Sequence, residues 1–194
     1  MRLQNADNQK SKIGIVGSKL LFYDNPDIIQ GIGGLYNKKL STAKHLGAYM
    51  KDHGQFDTDK VLDEIDYVIG ASMFVTKNFI LDVGLMCEDF FLYFEEIDWT
   101  LRGQSKGYEI DFCWESKVYH KEGSTISQGS KLKNSSKISY YYGHKNRLLI
   151  TKKYFPENLW LVKLSFLGVI FNRIKRRQFD RMKIIYKAYR DGVK

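Results

Sequence analysis

Cysteine and proline are nearly absent. The 194-residue chain has two cysteines, Cys87 and Cys113, and two prolines. With no CxxC pair, neither a disulfide framework nor a zinc ribbon can be built. A reducing, cytoplasmic setting is the simplest expectation. So few prolines leave no material for a Pro-rich linker or low-complexity tract, and no segment repeats at a solenoid period. A long uncharged apolar run is missing too. The nearest is Leu159-Trp160-Leu161-Val162 followed by Leu164 to Phe171. It is short for a membrane span and is broken by Lys163. The opening Met1-Arg2-Leu3-Gln4-Asn5 is polar and is not expected to act as a secretory leader.

What is present suits a packed core. Hydrophobic residues make up 43%, with 13 Tyr, 12 Phe and 3 Trp, which excludes a disordered chain. The length fits one domain, or two small ones. The formal net charge is +9, favouring anionic partners. Acidic residues concentrate between Asp52 and Asp111. The basic excess comes later, in Lys131-Leu132-Lys133 and in Arg173-Ile174-Lys175-Arg176-Arg177. A basic tail beside an apolar helix suits an anionic membrane surface. No helix-turn-helix, RNP-like or finger pattern accompanies it, so nucleic acid is not expected.

Local pattern gives a coarse map. Residues 1–11 are polar and expected to fray. Ile13 to Gly17 reads as a buried strand, which Leu20 to Tyr23 extends. Asp24-Asn25-Pro26-Asp27 predicts a turn. Gly31, Gly33 and Gly34 suggest a flexible stretch, and residues 35–63 a long polar excursion with at most one short helix. Asp66 to Val75 is the clearest strand. Lys77 to Val83 predicts a helix stopped by Gly84, and Glu95 to Ser105 a second one ended near Gly107. Tyr108–Trp114 and Lys117–His120 read as strands, and 122–136 as a Ser/Gly/Lys loop. Three helices follow, over Ser139–Tyr154, Leu159–Lys175 and Arg181–Tyr189. Strands come first and helices gather at the end: an α/β chain with a mixed sheet and a helical C-terminal appendage. The expected boundary lies between 1–136 and 137–194.

The densest chemistry is Asp89-Phe90-Phe91-Leu92-Tyr93-Phe94-Glu95-Glu96-Ile97-Asp98. Glu95, Glu96 and Asp98 fall at a helix start, where acids complement the dipole and cap free amides. A carboxylate fixed there on an aromatic floor could also accept a hydroxyl proton. His120 ends a predicted strand; a lone histidine is usually a satisfied structural residue. Gly70, Ala71 and Ser72 lie in the middle of the predicted strand, where small residues let another backbone approach. Trp99 and Tyr93 are core-like by spacing, and they could also form an aromatic platform. Asp57-Thr58-Asp59 spells D-x-D within a polar segment, and is read as a solvated loop rather than a metal site.

Phe91-Leu92-Tyr93-Phe94-Glu95-Glu96-Ile97-Asp98-Trp99-Thr100-Leu101-Arg102 resembles the F-[LM]-Y-x-E-D-x-D-L-x-x-R stretch of family 2 glycosyltransferases of the bacterial rhamnosyltransferase-like kind. Other pieces match in order. Val16 to Leu20 resembles V-G-P-K-L, and Val68 to Val75 resembles V-x-G-A-x-[ML]-x-[VI]. Lys106 to Ile110 resembles A-G-Y-x-[IV]. Val118-Tyr119-His120 with Gly123-Ser124 resembles V-x-H-x-x-G-S. Tyr140 to Arg147 resembles Y-Y-x-x-R-N.

The resemblance implies a partial GT-A fold and an inverting transfer in cell-surface polysaccharide synthesis. The donor would be a UDP- or dTDP-sugar and the acceptor a saccharide or a lipid-linked glycan. Glu96 would be the base, although the family's usual pair is Glu-Asp, and Glu95 would orient the site. Asp98 belongs to the same catalytic run. Gly70, Ala71 and Ser72 would clear space beside the sugars, Trp99 would contact the acceptor, and His120 would approach a Mn or Mg ion or the diphosphate. Family members carry roughly 100 residues, about a small domain, before the V-G-P-K-L piece. Here that piece comes almost at once. The chain alone is therefore expected to be inactive, to expose a sheet edge and to be prone to homodimerise. An alternative is a non-catalytic interaction module of the same descent. Trp160, Phe166 and Phe171 with Lys163, Arg173, Lys175, Arg176 and Arg177 would attach the tail peripherally to the inner face of the plasma membrane.

Overall fold

The computed structural model describes residues 12–121 and 137–194. The frayed start expected for 1–11 and the loop expected for 122–136, with Gly123, Ser124, Lys131 and Lys133, lie outside the described residues. The architecture is mixed α/β with helices gathered at the C-terminus, as the element pattern predicts.

The sheet is organised by one long strand, β1 (Lys12–Phe22). The two apolar pieces at its ends join through Ser18 and Lys19 into eleven continuous residues. Along one side it pairs in parallel with β6 (Tyr108–His120). Along the other it is shared by two antiparallel partners: β5 (Met73–Val75) covers Ile15 to Gly17, and β2 (Asn25–Gly31) covers Leu20 to Phe22. The register slips between Ser18 and Lys19, whose partners on β6 are Cys113 and Lys117. Trp114, Glu115 and Ser116 therefore bulge out, and the two strands expected around this point are one bent strand.

The turn expected over residues 24–27 is tighter, at Tyr23-Asp24, because Asn25 already enters β2. The glycines after it are not a flexible stretch. A Cβ on Gly33 would lie 2.4 Å from Ile65, and one on Gly34 would lie 2.0 Å from the Tyr67 ring. Both glycines are close-packing positions. The polar excursion contains a second small sheet, β3 (Gly34–Asn37) paired with β4 (Thr42–His45), and then the short helix α1 (Thr58–Glu64). The D-x-D lies at that helix start: Asp57 is its N-cap, its carboxylate accepting from the Lys60 amide. Of the strand expected over 66–75 only β5 forms. Tyr67 makes an isolated bridge to Gly34, and Gly70-Ala71 is a turn closed by the Ser72 amide donating to the Ile69 carbonyl at 3.2 Å.

Helix α2 (Lys77–Val83) starts on the Thr76 hydroxyl and stops at Gly84, φ 84°. Helix α3 (Glu95–Gln104) follows, and then α4 (Lys137–Tyr154), α5 (Leu159–Lys175) and α6 (Phe179–Val193). One core cluster, with Ile15, Val68, Phe79, Trp99 and Tyr108, glues α2 and α3 to the sheet. Another joins Tyr36, Tyr67, Phe90, Phe94 and Ile97 to Ile150 of α4. A third, with Leu148, Val162, Phe166 and Ile185, holds α4, α5 and α6 together. Helix α4 thus packs on both sides of the boundary drawn at residue 136. Among the described residues no helix is long and apolar enough to cross a membrane.

Candidate active site

The run before α3 is unusual backbone. Phe91, Tyr93 and Phe94 all have positive φ, at 54°, 66° and 75°. For residues with a Cβ this left-handed region costs about 1–2 kcal/mol each. Something must hold them there, and the holder comes from α4. The Asn146 side-chain amide, fully buried, donates to the carbonyls of Phe90, Leu92 and Tyr93 at 2.6, 2.9 and 2.9 Å. Phe90 and Phe94 point into the core beneath. The chain enters α3 through left-handed Phe94, without a side-chain cap, so the first helical residues are Glu95 and Glu96.

Those two carboxylates are only partly satisfied. One oxygen of each is buried with no hydrogen-bond partner among the described residues. Burial raises the Glu95 carboxyl above the ordinary range. Burial, with the Glu95 charge next to it, pushes Glu96 up to about 7. An unpaired buried carboxylate is costly, and a group poised near neutrality is a functional-site signal when it also faces a cleft.

Glu96 does face one. It lines a cavity of about 680 Å³ with Tyr67, Tyr93, Lys44, His45 and Arg147 among its walls. Phe22 and Tyr49 form part of the lining as a stacked pair, ring centroids 5.5 Å apart. Tyr67 is buried, and its hydroxyl is pushed well above the usual tyrosine range by burial and then by the Glu96 charge. Arg147 is buried as well. It donates to the carbonyls of Ser41 at 3.0 Å and Leu40 at 2.7 Å, pinning the β3–β4 turn against α4. Lys44 is exposed at the cavity edge. One carboxyl therefore shares the cavity lining with Lys44 and Arg147, neither of which is bonded to it.

The other expected residues divide. A Cβ on Gly70 would meet only the Glu96 carboxyl carbon, at 4.0 Å, so Gly70 leaves open space beside that group. It does so from an exposed turn rather than from the middle of a strand. Ala71 shares the turn and is exposed. The Ser72 hydroxyl donates to Ser18 at 3.0 Å, and Ser18 meets Ser116 at 3.0 Å, a short hydroxyl chain across the sheet. His120 ends β6 half-buried, its Nδ1 2.7 Å from the side-chain oxygen of Gln30, which lines the cavity. His120 is thus joined to the cavity by one intervening side chain.

Asp98 and Trp99 are placed elsewhere. Asp98 is fully buried and lies 2.8 Å from Arg102 Nε and 2.7 Å from Lys153 Nζ, with the Tyr154 hydroxyl donating at 2.6 Å. Burial alone would raise its carboxyl, but the bonds from Lys153, Tyr154 and Arg102 outweigh that and hold it below the usual range. Trp99 is buried edge-on to Phe79, and its indole N–H donates to the Gly84 carbonyl at 2.8 Å. Neither side chain lines the cavity; both tie α3 to its neighbours.

Among the described residues no three His, Cys, Asp or Glu side chains converge as a metal site. His120 is a single imidazole with one nitrogen engaged. These residues do not by themselves fit a divalent ion. Tyr67, Arg147 and the Phe22–Tyr49 pair line the cavity without a role from the motifs, and Asn146 holds the backbone beside it. For Asn146 the signal was present, as the final Asn of the Y-Y-x-x-R-N piece, and Arg147 is the residue after it.

No protein-family model matches the chain. Over 129 residues it is 23% identical to the low-salt glycan biosynthesis hexosyltransferase Agl10 of Haloferax volcanii, an alignment covering 66% of this chain and 40% of that protein. The chain therefore spans less than half the length of this curated relative. The likeness is remote and partial.

Proposed function

We propose that this chain is the acceptor-side part of a glycosyltransferase of glycan biosynthesis, with Glu96 as the general base. The observation that carries this is a carboxyl raised to about 7, one oxygen unpartnered, lining a cavity large enough for a sugar. A base works best when its pKa lies near the operating pH. Below pH 7 most Glu96 is protonated and idle; above it the carboxylate can accept an acceptor hydroxyl's proton. The freed oxygen then attacks the anomeric carbon of a nucleotide-activated hexose. The bond to the diphosphate breaks with its electron pair, and the configuration inverts. Gly70 leaves room beside the carboxyl, and the Phe22–Tyr49 stack offers a flat apolar face to a sugar ring. The family 2 assignment, the GT-A relationship and the preference for a UDP- or dTDP-hexose rest on the motif resemblance. Rhamnose is one such hexose.

The test is a transfer assay read by mass spectrometry across UDP- and dTDP-hexoses, Mn or Mg, and saccharide acceptors. Glu96→Gln is expected to lower transfer by about 10²–10⁴-fold while acceptor binding persists. If the chain alone does not turn over, acceptor binding measured against pH reads the same group. Its midpoint should lie near 7 and vanish in Glu96→Gln. Wild-type turnover in that variant, or a midpoint that survives it, removes the assignment.

A further inference from the structure

Helix α5 carries an apolar stripe that none of the described residues covers. Trp160, Leu164, Leu167, Phe171 and Ile174 recur at intervals of four and three, and each is between 47% and 69% exposed. The opposite face is the one the fold uses: Val162 and Phe166 are buried against Leu148 of α4 and Ile185 of α6. The helix is thus seated by one side and leaves a row of large apolar side chains about 21 Å long facing outward. Monomeric soluble proteins rarely leave such a contiguous patch bare.

The charges around the stripe select its occupant. On a helical projection Lys163 and Lys175 fall on its two borders, and exposed Arg176 and Arg177 follow at its end. Residues 158–179 contain no Asp or Glu. The four-three spacing would also suit a second copy packing as a coiled coil, but such pairs rely on opposite charges at the flanking positions. Here both flanks offer only cations, in either orientation of the partner. An anionic bilayer has the needed complement: acyl chains for the stripe and headgroup phosphates for the bordering cations. Arg173 is not part of this set, because it turns inward over the Tyr140 ring and donates to Gln178.

We infer that the outward face of α5 is an interfacial lipid-binding surface, lying in the plane of an anionic membrane with Trp160 to Ile174 in the acyl boundary. This surface is separate from the cavity chemistry and stands or falls without it.

The test is co-sedimentation with phosphatidylcholine vesicles, with and without phosphatidylglycerol, at physiological ionic strength. The chain is expected to pellet with the anionic vesicles and to be released by high salt. Replacing Lys175, Arg176 and Arg177 together by Gln should weaken binding about a hundredfold. Replacing Leu164, Leu167 and Phe171 together by Ser should abolish it without changing the circular dichroism spectrum. If that variant misfolds, quenching by brominated lipid in the wild type, lost in Trp160→Phe, reports the same contact. No pelleting with anionic vesicles overturns the inference, as does absence of quenching or binding unchanged in both triple variants. So does a concentration-dependent dimer that the Ser variant dissolves while vesicles are ignored.

Discussion

The first turn of α3 presents two faces that carry the same chemistry and are treated in opposite ways. On one, Glu95 and the cavity-lining Glu96 each keep a buried oxygen without a partner among the described residues, and their carboxyls rise above the ordinary range. On the core face, two residues on, Asp98 gathers Arg102, Lys153 and Tyr154, and its carboxyl falls below that range. A run of acids at a helix start says nothing by itself about which will react. What decides is whether cations bond directly to the carboxylate or leave it facing open space. Here α4 supplies Lys153 to one face, while the other opens on the gap left by Gly70.

Breaking the paired face should cost most. Asp98→Asn removes the anion from between two cations and is expected to destabilise by about 3 kcal/mol, read from urea midpoints. Removing the buttress behind the unpaired face comes next. Asn146→Ala strands three carbonyls and releases the left-handed Phe91–Phe94 run, costing about 2 kcal/mol and lowering acceptor affinity in the same preparation. The pH dependence of stability should carry opposite signs on the two faces. Between about 4.5 and 7 the folded chain keeps the Glu96 proton that the unfolded chain has lost, so stability falls as pH rises through that window. Glu96→Gln should cancel that fall. Its melting temperature should match wild type near pH 4.5, exceed it at pH 8, and correspond there to about 2 kcal/mol after allowing for partial solvent access. The Asp98 contribution is instead lost below the ordinary Asp value of 3.8. Smallest of all, Gly70→Val should leave stability within about 0.5 kcal/mol, because only the Glu96 carboxyl faces the new side chain, yet it should fill the space a substrate needs. Binding unaffected by that valine would place the substrate elsewhere.

Much of the frame was legible. Helix α2 carries its start at Thr76 and its stop at Gly84, and Pro156 marks the break between α4 and α5. The β3–β4 hairpin was not legible. Its turn, Lys38 to Ser41, lacks the Asn-Gly or Asp-Gly signal, and all four residues of β4 are exposed, so no alternation betrays a strand. Val68 and Ile69 misled in the other direction: they are apolar because they are buried in packing, and the Gly70-Ala71 turn ends the segment before it can pair. In the site, Glu95 and Glu96 were visible as a motif. That Asp98 is consumed by Lys153 and Tyr154 was not, since those partners lie 55 and 56 positions away. The Phe22–Tyr49 stack joins two segments with no shared pattern and needed the fold to exist first.

Arg147 belongs to two structures at once. Its guanidinium lines the cavity, clamps the β3–β4 turn, donates to Ser165 of α5 at 2.7 Å and lies over the Phe166 ring. One side chain is therefore a strut between the outer helix and the pocket. Any load that tilts or slides α5 is delivered through a planar, five-donor head that cannot yield to one neighbour without tugging on the rest. The chamber around Glu96 and the outer helix thus have one side chain in common.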